Sequence, residues 1–318
     1  MSDESTHPTY LWWNGECRPW HDATVHVTEL GWSTVNAVFE GIRGYWDDRT
    51  EELYVFRLPE HLKRFAESMK LVRYRPDYTA EQLTDAIIDL LRANDTREDT
   101  YIRPLAYTAD TSNRRFSQVA TDAAVLINTQ PMASHLLTGV TNTAKVSSWR
   151  RISEDVMPPR IKNISNYRNS QLAAWEARLD GYDTAILLND QGKVTEGPGA
   201  CLVLVRDGRL ITPDIASGIL ESITRDALLV LGRELLGLEV VERPVDRTEL
   251  YLAEELFTCG TAAEITPIVG VDKYEIGRGQ PGPITAALEQ ALHDVLRGRE
   301  ERFSHWRTPV GVRVAVPA

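Results

Sequence analysis

Short β-rich runs alternate with helix-periodic ones along almost the whole chain, and turn residues mark most changes of period. LYVFR at 53–57 reads as a strand. In LPEHLKRFAESMKLV, which follows, Leu58, Leu62, Phe65, Ala66 and Met69 recur at helical spacing. TAEQLTDAIIDLLRAN repeats that period behind a Thr79–Gln82 capping box. YIRPLAY and AAVLIN read as strands. Residues 131–141, PMASHLLTGVT, lose periodicity after Pro131 and read as a linker. SQLAAWEARLDG is a helix stopped by Gly181, and DTAILLND and KVTEG flank a hairpin signal at Asp190-Gln191-Gly192. CLVLVRDGRLIT carries a hairpin with Asp207-Gly208 in its turn. SITRDALLVLGRELLG and ITAALEQALHDVL are helices, and Asp246-x-x-Glu249 caps a short one. ELFTCGTAAEITPIVGV gives two strands about a Gly-Thr turn, and the stretch after about 300 has no clear reading. The expected fold class is α/β (α+β), with sheets that are not purely parallel.

The 318 residues suffice for about two domains. The expected division is a small α/β domain over 1–131, a linker over 132–141 and a larger domain over 142–318. Cys17, Cys201 and Cys259 are far apart and lie in no CxxC or CxxH pattern, so no metal and no disulfide framework is expected. The polar MSDESTHPTY start is not read as a signal peptide, and no apolar run approaches the roughly 20 residues of a membrane span. A cytoplasmic setting is the expectation. A net charge of −11 argues against nucleic acid and anionic membranes as partners, though not against a small anion held by a few arginines.

RIKNISNYRNS at 160–170 places Lys162 among polar residues. Taken singly, such a lysine is protonated, solvated and inert. Its companions change the reading. FEGIRGY, YIRPL, KNISNY, EGPGACLVLVRDGRLITP, LESITRD and ELFTCGTAAEITPI occur in one order along the chain. Together they resemble the class IV (fold-type IV) aminotransferases that use pyridoxal 5′-phosphate (PLP), the branched-chain aminotransferases most of all. The resemblance runs from about residue 9 to 290.

It implies two mixed α/β domains with the cofactor cleft between them, and an enzyme that moves an amino group between an amino acid or amine and a 2-keto acid. Lys162 would be the catalytic lysine, bound to the cofactor aldehyde and shuttling a proton once displaced. Tyr167 would hydrogen-bond the phenolic oxygen, and Glu196 would pair with the pyridine nitrogen. Arg64, Thr261, and Ile223 with Thr224 at a helix N-terminus would hold the phosphate. Leu220 would pack on the ring. Phe39, Gly41, Arg43, Tyr101, Arg103, Thr34, His135 and Ala262 would form the substrate side. The implied partners are an amino donor and a keto-acid acceptor, and the implied assembly is a homodimer or larger homo-oligomer. Singly, each residue has an ordinary explanation: Tyr167 as a half-buried tyrosine, Glu196 as a turn residue, Arg64 on a solvated helix face.

The chain departs from the pattern at Ser222, where the family has glycine, and at Thr34 and His135, where branched-chain enzymes carry tyrosines. Those tyrosines, with the arginine matching Arg103, hold the distal carboxylate of glutamate in the family. Each hydrogen bond lost to a charged group costs about 1.5–3 kcal/mol. The resemblance therefore implies amino transfer more firmly than it implies a donor. Relatives that act on D-amino acids or (R)-amines differ in this same region; a class IV lyase acting on aminodeoxychorismate is a further relative, from which FEGIR with YIRP leans away. A PLP-binding protein without turnover is the alternative from another class. A nucleotide-dependent oxidoreductase is set aside, because no GxGxxG follows a strand.

Overall fold

The computed structural model describes residues 7–27, 34–75, 77–108 and 120–311. Its contacts divide the chain into two units. Unit 1 comprises residues 1–134, 162–164 and 295–318, and unit 2 comprises 135–161 and 165–294. Residues 132–141, expected as a linker, straddle the first crossing. Residues 162–164 and 295–318 group with unit 1, where Asn163 bridges Val38 and Arg307–Pro309 pair with Tyr54–Phe56.

Unit 1 is built on an antiparallel-rich sheet. Its strands are β1 (Tyr10–Trp13), β2 (Glu16–Pro19), β3 (Val38–Phe39), β4 (Ile42–Asp47), β5 (Glu52–Phe56), β6 (Tyr74–Arg75), β7 (Thr100–Thr108), β8 (Thr121–Pro131) and β17 (Arg307–Pro309). The order is β17-β5-β4-β7-β8-β1-β2, with β3 on β7 and β6 on β8. β1 and β2 had no expectation behind them, yet Asn14-Gly15 joins them, with φ of 48° and 94°. Both central residues of such a two-residue turn need positive φ, and Asn-Gly supplies it. The unread tail becomes β17, which pairs β5 from Arg307↔Phe56 to Pro309↔Tyr54. Trp306 anchors it edge-on against Phe56.

Two helices pack in unit 1. α1 (Leu58–Leu71) buries Leu58, Leu62, Phe65 and Met69 of the stripe expected from its period, while Ala66, expected with them, is exposed. α2 (Ala80–Ala93) starts at the expected capping box, with Gln82 N–H donating to Thr79 Oγ1 at 3.2 Å and Thr79 N–H to Gln82 Oε1 at 2.9 Å.

Unit 2 carries β9 (Asn142–Arg150), β10 (Thr184–Leu188), β11 (Cys201–Arg206), β12 (Arg209–Thr212), β13 (Val240–Glu242), β14 (Glu255–Gly260), β15 (Glu264–Val271) and β16 (Tyr274–Glu275). The order is β10-β9-β15-β14-β11-β12-β13, with β16 on β15. β9 runs parallel to both β10 and β15, while β11, β12, β14 and β15 make antiparallel ladders, so the sheet is mixed as expected. The Asp207-Gly208 hairpin forms. At 190–192 the chain does reverse, with Asn189 N–H on the Lys193 carbonyl at 2.8 Å. The returning arm makes isolated bridges rather than a strand, with Thr195 N–H donating to the Leu187 carbonyl at 2.9 Å and Leu187 N–H to the Glu196 carbonyl at 3.0 Å.

The helices of unit 2 are α3 (Ile164–Leu179), α4 (Ile223–Glu234), α5 (Arg247–Tyr251) and α6 (Pro283–Leu296). α3 begins earlier than the expected SQLAAW stretch. Asn163 stands just before it, where asparagine is favoured. Asn166, which looks like a helix breaker, instead donates its amide back to the Ile161 carbonyl at 3.1 Å and the Pro158 carbonyl at 3.3 Å.

Candidate active site

In unit 1 the backbone of Lys162 is held closely. Its N–H donates to Ser68 Oγ at 3.3 Å, and its carbonyl accepts the Phe39 N–H at 2.9 Å. One residue further on, Asn163 bridges Val38, and Ile164 N–H reaches the Ala37 carbonyl at 2.9 Å. The side chain is half-buried, with Nζ 4.8 Å from the Phe39 ring centroid.

The residue after Phe39, Glu40, is fully buried. Arg64 forks onto it, Nε to Oε1 at 2.7 Å and Nη2 to Oε2 at 2.8 Å, and His61 Nδ1 lies 2.7 Å from Oε2. His61 and Arg64 are three apart on α1 and share its face. Burial opposes the charge on Glu40, but the Arg64 and His61 cations outweigh it and bring the carboxyl down to about 2. Burial also pushes His61 below its ordinary value. Glu40 pulls the other way, and the Arg64 and Lys162 charges add to the downward push.

The expected substrate residues of unit 1 lie on or beside the same strands. Gly41 has no room for a side chain: a Cβ there would fall 2.1 Å from Tyr101 Oη. Tyr101 is half-buried and Arg103 exposed on one face of β7, with Ile102 buried between them. Arg43 differs. It is 1% exposed, donates from Nη2 to the Met132 carbonyl at 2.5 Å and stacks on Tyr45 at 4.9 Å. Thr34 is exposed.

In unit 2 Glu196 is buried and already partnered. Arg151 Nη2 is 2.7 Å from Oε1, and the Leu220 N–H donates to Oε2 at 3.0 Å. The Tyr167 ring packs over Gly199, where a Cβ would meet Cε1 at 3.9 Å. Gly260, next to Thr261, approaches the Gly199 carbonyl within 3.4 Å of where its own Cβ would stand. Ser222 caps α4, with its Oγ accepting the Arg225 N–H at 3.2 Å and its carbonyl the Asp226 N–H at 3.0 Å. That leaves the first two helical amides, Ile223 and Thr224, without an acceptor among the described residues. The Thr224 side chain is buried beside them. Thr261 is half-buried and Ala262 exposed in the turn between β14 and β15.

His135 is engaged elsewhere. Its ring nitrogens face Glu264 Oε2 and Thr266 Oγ1, each at 3.2 Å, and its N–H donates to Glu264 Oε2 at 2.9 Å.

The structure thus brings Phe39, Arg64 and Lys162 together with Gly41 and Tyr101 close by in unit 1. Unit 2 gathers Tyr167, Glu196 and Leu220 near the tip of α4. Three residues had no expectation behind them: Glu40, His61 and Arg151. The first two had a usable signal, since Glu40 stands inside FEGIR and His61 sits one turn before Arg64. Arg151 reaches a carboxylate 45 positions away and had none.

A mixed two-sheet fold of this kind, with a half-buried lysine and a partnered buried carboxylate, is that of a fold-type IV transaminase. The family model for amino-transferase class IV matches residues 37–271, and the chain belongs to that family. Relatives include the probable branched-chain-amino-acid aminotransferase of Aquifex aeolicus, 39% identical over 302 residues that cover 95% of this chain and 96% of that protein. Among solved structures, the branched-chain amino acid aminotransferase of Thermobaculum terrenum in its PLP form superposes with a TM-score of 0.93 at 53% identity, covering 96% of this chain and 99% of that one. The branched-chain aminotransferase of the archaeon Thermoproteus uzoniensis with norvaline gives 0.89 at 40%, covering 96% and 100%. The protein is a PLP-dependent aminotransferase.

The residues present suit that cofactor. A buried carboxylate answers a protonated ring nitrogen. Two helix-tip amides beside the buried Thr224 side chain answer a phosphate.

Proposed function

We propose that the protein transfers amino groups from apolar amino acids, branched-chain ones among them, to a 2-keto acid, with Lys162 as its catalytic residue. When bound, PLP supplies an aldehyde that condenses with amines and a ring that accepts the electron pair left at the substrate Cα. Lys162 Nζ would take the proton released at the substrate Cα. Tyr167 would hold the phenolic oxygen, Glu196 the ring nitrogen and Leu220 the ring face. Arg64, Ile223, Thr224 and Thr261 would hold the phosphate. On the substrate side Phe39, Gly41 and Tyr101 shape the pocket, and Ala262 offers an N–H to the α-carboxylate. Arg103, being exposed, is the better partner for a distal carboxylate than Arg43, whose guanidinium is engaged inside the unit.

One observation carries the assignment of the amine: a half-buried lysine whose main chain is fastened on both sides, its N–H to Ser68 Oγ on α1 and its carbonyl to the Phe39 N–H on β3. The test is spectroscopic and chemical. The purified protein should show a band near about 400 nm, borohydride should fix the cofactor on Lys162, and Lys162→Ala should lose both along with at least about 10²–10⁴-fold in rate. A cofactor fixed elsewhere, or none, would refute the proposal.

Thr34 and His135 weaken the hold on a distal carboxylate, so single half-reactions should run slower with L-glutamate than with L-leucine. Including D-alanine, D-glutamate and (R)-1-phenylethylamine separates the other transaminase readings. PLP binding with no half-reaction on any donor would leave a protein without turnover. The same reading makes the protein a cytoplasmic homodimer or larger homo-oligomer, which sedimentation tests for its assembly.

A further inference from the structure

Arg151 stands immediately after β9, and its N–H is held by the Leu188 carbonyl at 2.9 Å. Its side chain is buried, 8% exposed for the residue as a whole. The guanidinium does two things. Nη2 lies 2.7 Å from Glu196 Oε1, and Nε donates to the Gly218 carbonyl at 3.4 Å. Gly218 has φ of 91°, so the chain turns sharply there. Two residues on, Leu220 donates its N–H to the other oxygen of the same Glu196, at 3.0 Å. The links close a ring: arginine to carboxylate, carboxylate to residue 220, chain back to 218, carbonyl to arginine. Ser222 and the start of α4 follow directly.

A buried carboxylate without a counter-charge is strongly disfavoured. The planar fork of an arginine both balances it and fixes its direction, which a lysine does less well. Glu196 has no other cationic partner among the described residues, and the Cys201 thiol, 3.8 Å from Oε2, adds only a weak donor.

We propose that Arg151 is a positioning residue for the cofactor, acting through Glu196: it balances and aims the carboxylate that meets the ring nitrogen. The proposal rests on the reading of Glu196 given above.

The test is a cycle of variants, R151M, R151K, E196Q and R151M/E196Q, each titrated with PLP and followed by the visible band and its pH dependence. R151M should weaken PLP binding tenfold or more and shift the band. R151K should recover part of the loss. In the E196Q background the same R151M change should cost less than threefold, because its target is gone. The double variant carries no uncompensated buried carboxylate, so it and R151K keep the test open should R151M fold poorly. Equal losses in both backgrounds would make Arg151 a merely structural residue and overturn the proposal. So would R151M and R151K binding within twofold of the parent. E196Q binding PLP as the parent does, with an unchanged band, would instead overturn the reading of Glu196, and the proposal with it.

Discussion

Arg64–Glu40 in unit 1 and Arg151–Glu196 in unit 2 are both buried arginine–carboxylate pairs, and the proposed function uses them in opposite senses. In unit 1 Glu40 is the interior partner: it is fully buried, takes both Nε and Nη2 of Arg64, and holds His61 as well. On the proposed reading the arginine is the member that meets the cofactor. In unit 2 Arg151 contacts Glu196 at 2.7 Å, and there the proposed reading assigns the carboxylate to the cofactor. A forked guanidinium and a planar carboxylate fit each other either way round. Which member serves depends on what it must meet: a phosphate wants the cation presented, and a ring nitrogen wants the anion.

The largest way to break this comparison is Glu40→Ala. It strands Arg64 and His61 in the interior, and breaking a buried pair from one side costs about 3–5 kcal/mol. Urea unfolding should show that loss, and PLP affinity should fall with it. A stability change near zero would mean that the unit 1 pair is ornamental and the symmetry false.

Acid sharpens the same point. The folded Glu40 carboxyl sits at about 2, below its ordinary 4.5. A depressed carboxyl contributes stability that is complete above the unfolded value and is lost as pH falls through the folded one. The contribution is about 3 kcal/mol, lost between about pH 4.5 and 2. Glu40→Gln should unfold with less pH dependence in that window, and identical acid slopes for the two proteins would rule the pair out as the cause.

The smallest effect falls on unit 2. Ser222→Ala removes the cap of α4 and should cost about 1 kcal/mol. If the tip of α4 also serves a phosphate, PLP should restore part of that loss in thermal melts; no restoration would separate the helix tip from the cofactor.

Much of the fold was legible because its signals are local. The α1 stripe, the Thr79 capping box and the Asp207-Gly208 turn each depend on residues within a few positions of one another. The Asn14-Gly15 hairpin is equally local but leaves a weak signal, since four-residue strands give periodicity little to show. Strand order was not legible: β17 joins β5 from some 250 positions away. The catalytic candidates stood out as motifs, whereas Arg151 and Glu40 act through partners that only folding supplies.

The fastening of Lys162 has a consequence for anyone who would redesign selectivity. Ala37, Val38 and Phe39 grip residues 162–164 through two amide links, which together make the Val38↔Asn163 bridge. Phe39 also borders the proposed substrate pocket, so a library at 37–39 should be read for cofactor attachment at Lys162 as well as for donor preference.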